Sequence, residues 1–100
     1  MKFAIVYSQL DLEDVNINGY PDIGIYDKKL FDSREEARKY IEEKIVEDYY
    51  ATGDEIGEGV IFDKYGNTDE DEFFTLEFTA TEDGDYVTNS TTLKIIPIEN

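Results

Sequence analysis

The chain has 100 residues, and its 25 Asp and Glu against 9 Lys and Arg give a formal net charge of −16. Cysteine, histidine and tryptophan are absent, which excludes disulfide bonds and catalysis that depends on Cys or His, and disfavours zinc, copper and iron sites. With 40% hydrophobic residues the chain is globular, and its length suits a single domain over residues 1–100. Close carboxylate pairs say little in so acidic a chain, so we expect a protein that is not an enzyme and has no cofactor.

The first element is a short apolar run. Phe3-Ala4-Ile5-Val6-Tyr7 is apolar on both alternating faces, which predicts a central strand. This run is too short for a secretion signal, and no run of 18 apolar residues follows, so we expect a cytoplasmic protein without a membrane span. Two further runs, 23–26 and 29–31, indicate short extended pieces.

The helix is the clearest element of the chain. Ser33 followed three residues later by Glu36 forms a capping box, the usual signature of a helix start. An apolar stripe recurs every fourth residue, at Ala37, Ile41, Ile45 and Tyr49. Thr52-Gly53 predicts the helix end, because glycine is the common left-handed cap.

The second half of the chain predicts a meander. Residues 60–62 form a short strand, and in residues 74–80 apolar side chains alternate with Thr and Glu. Residues 82–85 predict a hairpin turn, and the return strand runs from Tyr86 to Ile96, with Pro97 ending it or limiting it to an edge. The expected fold is α+β: one antiparallel-rich sheet of about four strands against a single main helix, in the order β-α-β-β-β.

One segment resembles the opening of a calcium loop. Asp14-Val15-Asn16-Ile17-Asn18-Gly19 matches the D-x-N-x-N-G start of an EF-hand loop. The second half of the motif fails, because Ile25 stands where a bidentate Glu is needed and Pro21 interrupts the loop. We therefore expect an Asx-rich turn and no metal site, although weak cation binding by the acidic turns stays open.

Charge is distributed unevenly along the chain. Between Ile45 and Leu93 there are 14 acids and one base, Lys64. Such a surface repels itself, which suggests a use in binding, while solubility alone is an equally weighted explanation. The candidate partner-binding residues are the acids of the loop after the helix and of the turns, namely Asp54, Glu55, Glu58, Asp63, Asp69, Glu70, Asp71, Glu72, Glu82, Asp83 and Asp85. We expect the side chains of Asp69 to Glu72 to be exposed, with Tyr49, Tyr50, Tyr65 and Tyr86 as available aromatic anchors.

In composition the chain resembles the small acidic DNA-mimic inhibitors of phages and mobile elements, which include anti-restriction and anti-CRISPR proteins. The resemblance covers chiefly residues 47–85 and has no diagnostic motif. It implies a mechanism in which carboxylates occupy the basic groove of a nucleic-acid-handling protein, with no direct binding of nucleic acid by the chain itself. The alternative is an accessory interaction domain of a phage or a low-GC bacterium, whose acidity serves only solubility.

Overall fold

The computed structural model describes residues 1–12, 22–81 and 86–99. These residues form five strands and one long helix with a wider central section. In chain order the elements are β1 (Lys2–Asp11), β2 (Asp22–Phe31), α1 (Arg34–Tyr40), a π-helical segment (Ile41–Ile45), α2 (Val46–Ile56), β3 (Gly59–Tyr65), β4 (Phe73–Thr79) and β5 (Val87–Ile98). The α+β class is confirmed.

All five strands join one antiparallel sheet in the order β2-β1-β5-β4-β3. The expected count of about four strands and the order β-α-β-β-β are therefore wrong, because a full strand, β2, precedes the helix. Its pattern is broken by Asp27 and Lys28, whose φ angles of 55° and 52° form a bulge in the pairing with β1. The bulge divides the alternation of side chains, so in sequence β2 resembled two short pieces. β1 has a paired strand on each side, as predicted for a strand that does not lie at an edge.

The last strand does not lie at an edge. β5 lies between β1 and β4 and continues through Pro97 to Ile98, which corrects the predicted end at Ile96. Its pairing with β4 reaches only Leu93, whereas its pairing with β1 continues to Ile98. Pro97 therefore has a paired strand, β1, on one side only. Such a position in a sheet tolerates the missing N–H of proline.

The helix starts as predicted. The Glu36 N–H donates to Ser33 Oγ at 3.1 Å, and Ala37, Ile41 and Ile45 have no exposed surface. In an α-helix, residues four apart drift around the axis by ~40° at each step. The wider turn of the π-helical segment counters this drift, and so the four-residue spacing stays on one face.

The predicted helix end at Gly53 is wrong. The helix continues to Ile56, and Gly57, with φ of 73°, is the left-handed cap. Gly53 serves a different purpose, because a Cβ there would lie 2.9 Å from both the Glu58 carbonyl oxygen and Val60 Cγ2. Glycine thus allows the end of α2 to contact the start of β3.

The helix covers one face of the sheet. Its buried stripe packs on Ile5, Phe74, Leu76, Leu93 and Ile95. The alternation predicted for β4 is confirmed, since Phe74 and Leu76 are buried on the helix side while Glu77 lies on the opposite face. No described element covers that opposite face, which exposes more than a third of five large side chains, Ile23, Ile25, Leu30, Ile61 and Tyr65. Among the described residues, no helix is both long and apolar enough to cross a bilayer.

Candidate binding surface

The end of α2 presents carboxylates beside the first residues of β3. Asp54 and Glu55 are exposed, and Glu58 is half-buried, with one carboxylate oxygen accepting a hydrogen bond from the Thr88 hydroxyl at 3.0 Å. A depression of about 290 Å³ lies here, lined by Tyr50, Asp54, Glu58, Gly59 and Val60. Tyr50 is half exposed, and so the depression combines an aromatic wall with two carboxylates. Such a lining suits the apolar stem and charged head of Lys or Arg.

The helix-free face of the sheet adds two further carboxylates at the same edge. Asp63 on β3 is exposed, and Glu77 on β4 is half-buried opposite Ile61. No described residue forms an ion pair with either of them. Carboxylates therefore flank β3 on both faces of the sheet.

The acidic block of residues 69–72 is not uniformly exposed, which corrects the expectation from sequence. Glu72 is only 7% exposed, and it accepts hydrogen bonds from Arg38 Nε at 2.8 Å and Arg38 Nη2 at 2.7 Å. Lys64 Nζ lies 3.3 Å from the same carboxylate. The hydrogen bonds between the Arg38 and Glu72 side chains lower the pKa of the Glu72 carboxyl and raise the pKa of the Arg38 guanidinium. Glu72 is thus a structural residue that ties β4 to the helix.

The neighbours of Glu72 differ from it and from one another. Asp69 pairs with Arg38 Nη2 at 2.9 Å, while Asp71 Oδ1 accepts from the backbone N–H groups of Asn67 and Thr68 at 3.0 and 2.6 Å. These bonds from the loop, chiefly those of Thr68, lower the pKa of Asp71. Only Glu70 of this block is exposed with no bonded partner in the part of the chain that the structure describes. The predicted residues Glu82, Asp83 and Asp85 lie outside the described residues.

The four tyrosines proposed as anchors differ in packing and exposure. Tyr49 packs on the core, stacking on Phe78 with ring centroids 5.0 Å apart and donating its hydroxyl to Thr91 at 2.8 Å. Tyr49 is therefore engaged in packing, and it is less available as an anchor than the sequence suggested. Tyr50, Tyr65 and Tyr86 are 49%, 46% and 61% exposed. Of these, Tyr50 lies in the acidic depression, which only the tertiary structure reveals.

Basic residues gather at the other edge of the sheet. Four lysines, Lys2, Lys29, Lys39 and Lys44, line a depression of about 400 Å³ beside β2 and the first half of the helix, together with three carboxylates, Asp32, Glu36 and Glu43. Lys29 Nζ lies 4.6 Å from the Tyr40 ring centroid, and Lys2 pairs with Asp32. Since β2 and β3 are opposite edges, the molecule has an acidic edge and a mixed, lysine-bearing edge. This second group was not predicted from the sequence, although six of the nine bases lie in residues 28–44.

A separate depression of about 530 Å³ lies on the helix side of β1 and β2. Tyr7, Tyr26 and Tyr49 line it together with Gln9 and Thr91. Burial raises the pKa of Tyr26 to about 12, so its hydroxyl stays neutral at physiological pH. The polar lining of this depression is chiefly hydroxyl and amide, with one base, Lys28, and one carboxylate, Asp27, which already accepts from the Tyr40 hydroxyl.

In residues 1–12, 22–81 and 86–99, no three carboxylates are grouped so that they could hold a metal ion. The calcium-like segment 14–19 lies outside those ranges. Comparison with protein-family models, with curated proteins and with solved structures gave no match to this chain.

Proposed function

We propose that this chain is a non-enzymatic binding protein whose acidic edge enters the basic groove of a nucleic-acid-handling protein, in the manner of a DNA mimic acting inside the cell. One observation carries the proposal. Carboxylates without ion-pair partners among the described residues surround β3 on both faces of the sheet, while the lysine-bearing depression lies at the opposite edge. This arrangement gives the molecule a directional electrostatic field, which favours a basic partner at one edge.

The density of carboxylates supports mimicry of one nucleic-acid strand. β3 has seven residues and so spans ~23 Å at ~3.3 Å per residue. One DNA strand carries a charge every ~3.4 Å, or ~7 charges over that length. Six carboxylates without ion-pair partners in the described ranges adjoin β3 and its two flanking loops: Asp54, Glu55, Glu58, Asp63, Glu70 and Glu77.

The attachment of these residues also supports the proposal. They lie on the end of a helix and the short connection after it, on two paired strands, and on a loop tied to the helix by Arg38. A carboxylate held on such elements loses less conformational entropy on binding than one on a mobile tail.

A triple neutralisation tests the proposal. Asp54→Asn, Asp63→Asn and Glu70→Gln together remove three exposed carboxylates that have no described bonded partner and leave the Arg38–Glu72 pair intact. Basic proteins are captured from a bacterial lysate on the wild-type chain, with and without competing duplex DNA, and binding of the purified partner is then measured. We expect DNA and this chain to exclude one another, and the triple variant to bind at least ~10-fold more weakly, chiefly through slower association.

The matched control changes the same net charge elsewhere. Glu35→Gln, Glu42→Gln and Glu43→Gln neutralise three exposed carboxylates on the first half of the helix, and this variant should bind like the wild type. Simultaneous binding of DNA and this chain to the partner, or equal losses in both triple variants, would refute mimicry through the acidic edge. Acidity that serves only solubility would then be the better explanation.

A further inference from the structure

β3 is an edge of the sheet that the described residues form, and none of them pairs with its outer side. It is the last strand of the sheet, and among the described residues only β4 forms a ladder with it. On the side away from β4, alternate residues of β3 direct their backbone N–H and C=O groups outward. Such a row of donors and acceptors is a template for another strand.

The other edge of the sheet is interrupted, whereas β3 is regular. In β2 the bulge at Asp27 and Lys28 breaks the backbone into two parts, and the pairing with β1 changes register there. Bulges of this kind prevent an edge from accepting a further strand. β3 pairs with β4 in one register from Gly59 to Tyr65 and contains no residue with positive φ. Only the acidic edge therefore offers a straight backbone of seven residues.

The charges around this edge select the occupant. A strand added to β3 directs alternate side chains to the two faces of the sheet. On the helix side these side chains meet the depression between Tyr50, Asp54 and Glu58, and on the other side they meet Asp63 and Ile61. The one base on β3, Lys64, is already engaged by Glu72. A second copy of this chain would bring the same carboxylates and be repelled, whereas a segment rich in Lys or Arg is attracted on both faces.

We propose that β3 accepts an extended, basic segment of a partner protein as a sixth strand, with one Lys or Arg side chain lying in the depression formed by Tyr50, Asp54 and Glu58. The inference rests on the proposed function for the basic character of the partner, and it adds the binding mode. Backbone hydrogen bonds to β3 supply affinity and position the segment. The carboxylates on the two faces supply specificity for basic side chains that point to either face.

The test uses two peptides of equal charge. One is a nine-residue peptide of sequence Lys-Lys-Thr-Thr-Lys-Lys-Thr-Thr-Lys, which places Lys on both faces of an added strand, and the other is the same peptide with every backbone nitrogen methylated, which blocks strand pairing along both edges. Binding to the full chain is measured by calorimetry in buffer of low ionic strength, and amide hydrogen exchange is followed residue by residue. We expect the methylated peptide to bind at least ~10-fold more weakly, because several backbone hydrogen bonds are lost. We also expect alternate amides of β3 to gain protection only with the unmethylated peptide.

Two substitutions locate the basic side chain. Tyr50→Ala and Asp54→Asn alter exposed residues outside the core, so the fold is retained, and each should weaken the unmethylated peptide ~3- to 10-fold. Glu43→Gln, with the same change of charge on the first half of the helix, should have no such effect. Equal affinity of the two peptides, unchanged exchange in β3, or failure of the unmethylated peptide to bind would overturn strand addition. Mimicry could still hold in each case, because the DNA competition experiment tests it separately.

Discussion

At the scale of single residues, Glu72 and Glu70 show how differently two nearby carboxylates of one acidic run behave. Glu72 is buried and bonded to Arg38 and Lys64, whereas Glu70 is exposed and has no bonded partner in the described part of the chain. Arg38 and Glu72 are 34 residues apart, so no local pattern could have paired them. The sequence predicted the charge of this run correctly but not which of its members are available for binding.

Substitution of Glu72 is expected to destabilise the fold. Glu72→Gln removes the anionic partner of Arg38 and should lower the free energy of unfolding by ~1.5–3 kcal/mol at pH 7, the range for hydrogen bonds to charged groups. Urea denaturation followed by circular dichroism measures the change. The control is Glu70→Gln, which should alter stability by less than ~0.5 kcal/mol. Equal effects of the two substitutions would mean that the contacts of Glu72 contribute nothing to stability.

The pH dependence of the same pair has a definite sign. The pKa of Glu72 is lowered in the folded chain by hydrogen bonding to Arg38, from an ordinary value of 4.5. The stability that the ionised Glu72 carboxylate contributes is therefore complete above that ordinary pKa. It is lost as pH falls through the lower pKa of the folded chain. The difference in unfolding free energy between wild type and Glu72→Gln should be constant above ~pH 5.5 and shrink below ~pH 4.5. Protonation of the other carboxylates changes the stability of both proteins alike, so it cancels in this difference.

At the scale of elements, the helix illustrates how a local pattern and a distant contact share control. Its start, its buried stripe and its capping box were predicted because they depend on residues three or four apart. Its end was misplaced because two glycines, Gly53 and Gly57, are both plausible caps in sequence. Only the contact of Gly53 with Glu58 and Val60 shows that this glycine permits close packing.

The buried stripe supports a stability prediction with an internal control. Ile41 lies in the π-helical segment with no exposed surface, and Ile41→Ala should lower the free energy of unfolding by ~2–5 kcal/mol through lost burial and a cavity. Ile56 is 54% exposed at the end of the same helix, so Ile56→Ala should cost less than ~1 kcal/mol. Chemical denaturation measures both. A loss at Ile41 no larger than that at Ile56 would contradict the packing of this face on the sheet.

At the scale of the whole molecule, net charge and size determine how the fold responds to salt. The formal charge is −16 on a body of 40 × 30 × 25 Å. At 0.01 M salt the screening length is ~30 Å, so repulsion acts across the whole molecule, whereas at 0.15 M it is ~8 Å.

We therefore expect the melting temperature to rise by several degrees between 0.01 and 0.3 M NaCl, as measured by calorimetry. The triple variant Asp54→Asn, Asp63→Asn and Glu70→Gln should show a smaller rise, because less repulsion remains to be screened. A melting temperature that falls with salt would show that attractive ion pairs outweigh repulsion in this fold.

Local patterns alone determined several features of this protein. Composition excluded disulfides and Cys- or His-dependent chemistry, and side-chain periodicity predicted β1, the helix stripe and the alternation of β4. The features predicted from periodicity depend on backbone geometry over a few residues. Tertiary structure decided the rest: β2 as a full strand, β5 at the centre of the sheet, Glu72 in a buried ion pair, and β3 as an edge between carboxylates with one partner strand among the described residues. Each of these depends on contacts between residues distant in the chain, whose free energies no local pattern records.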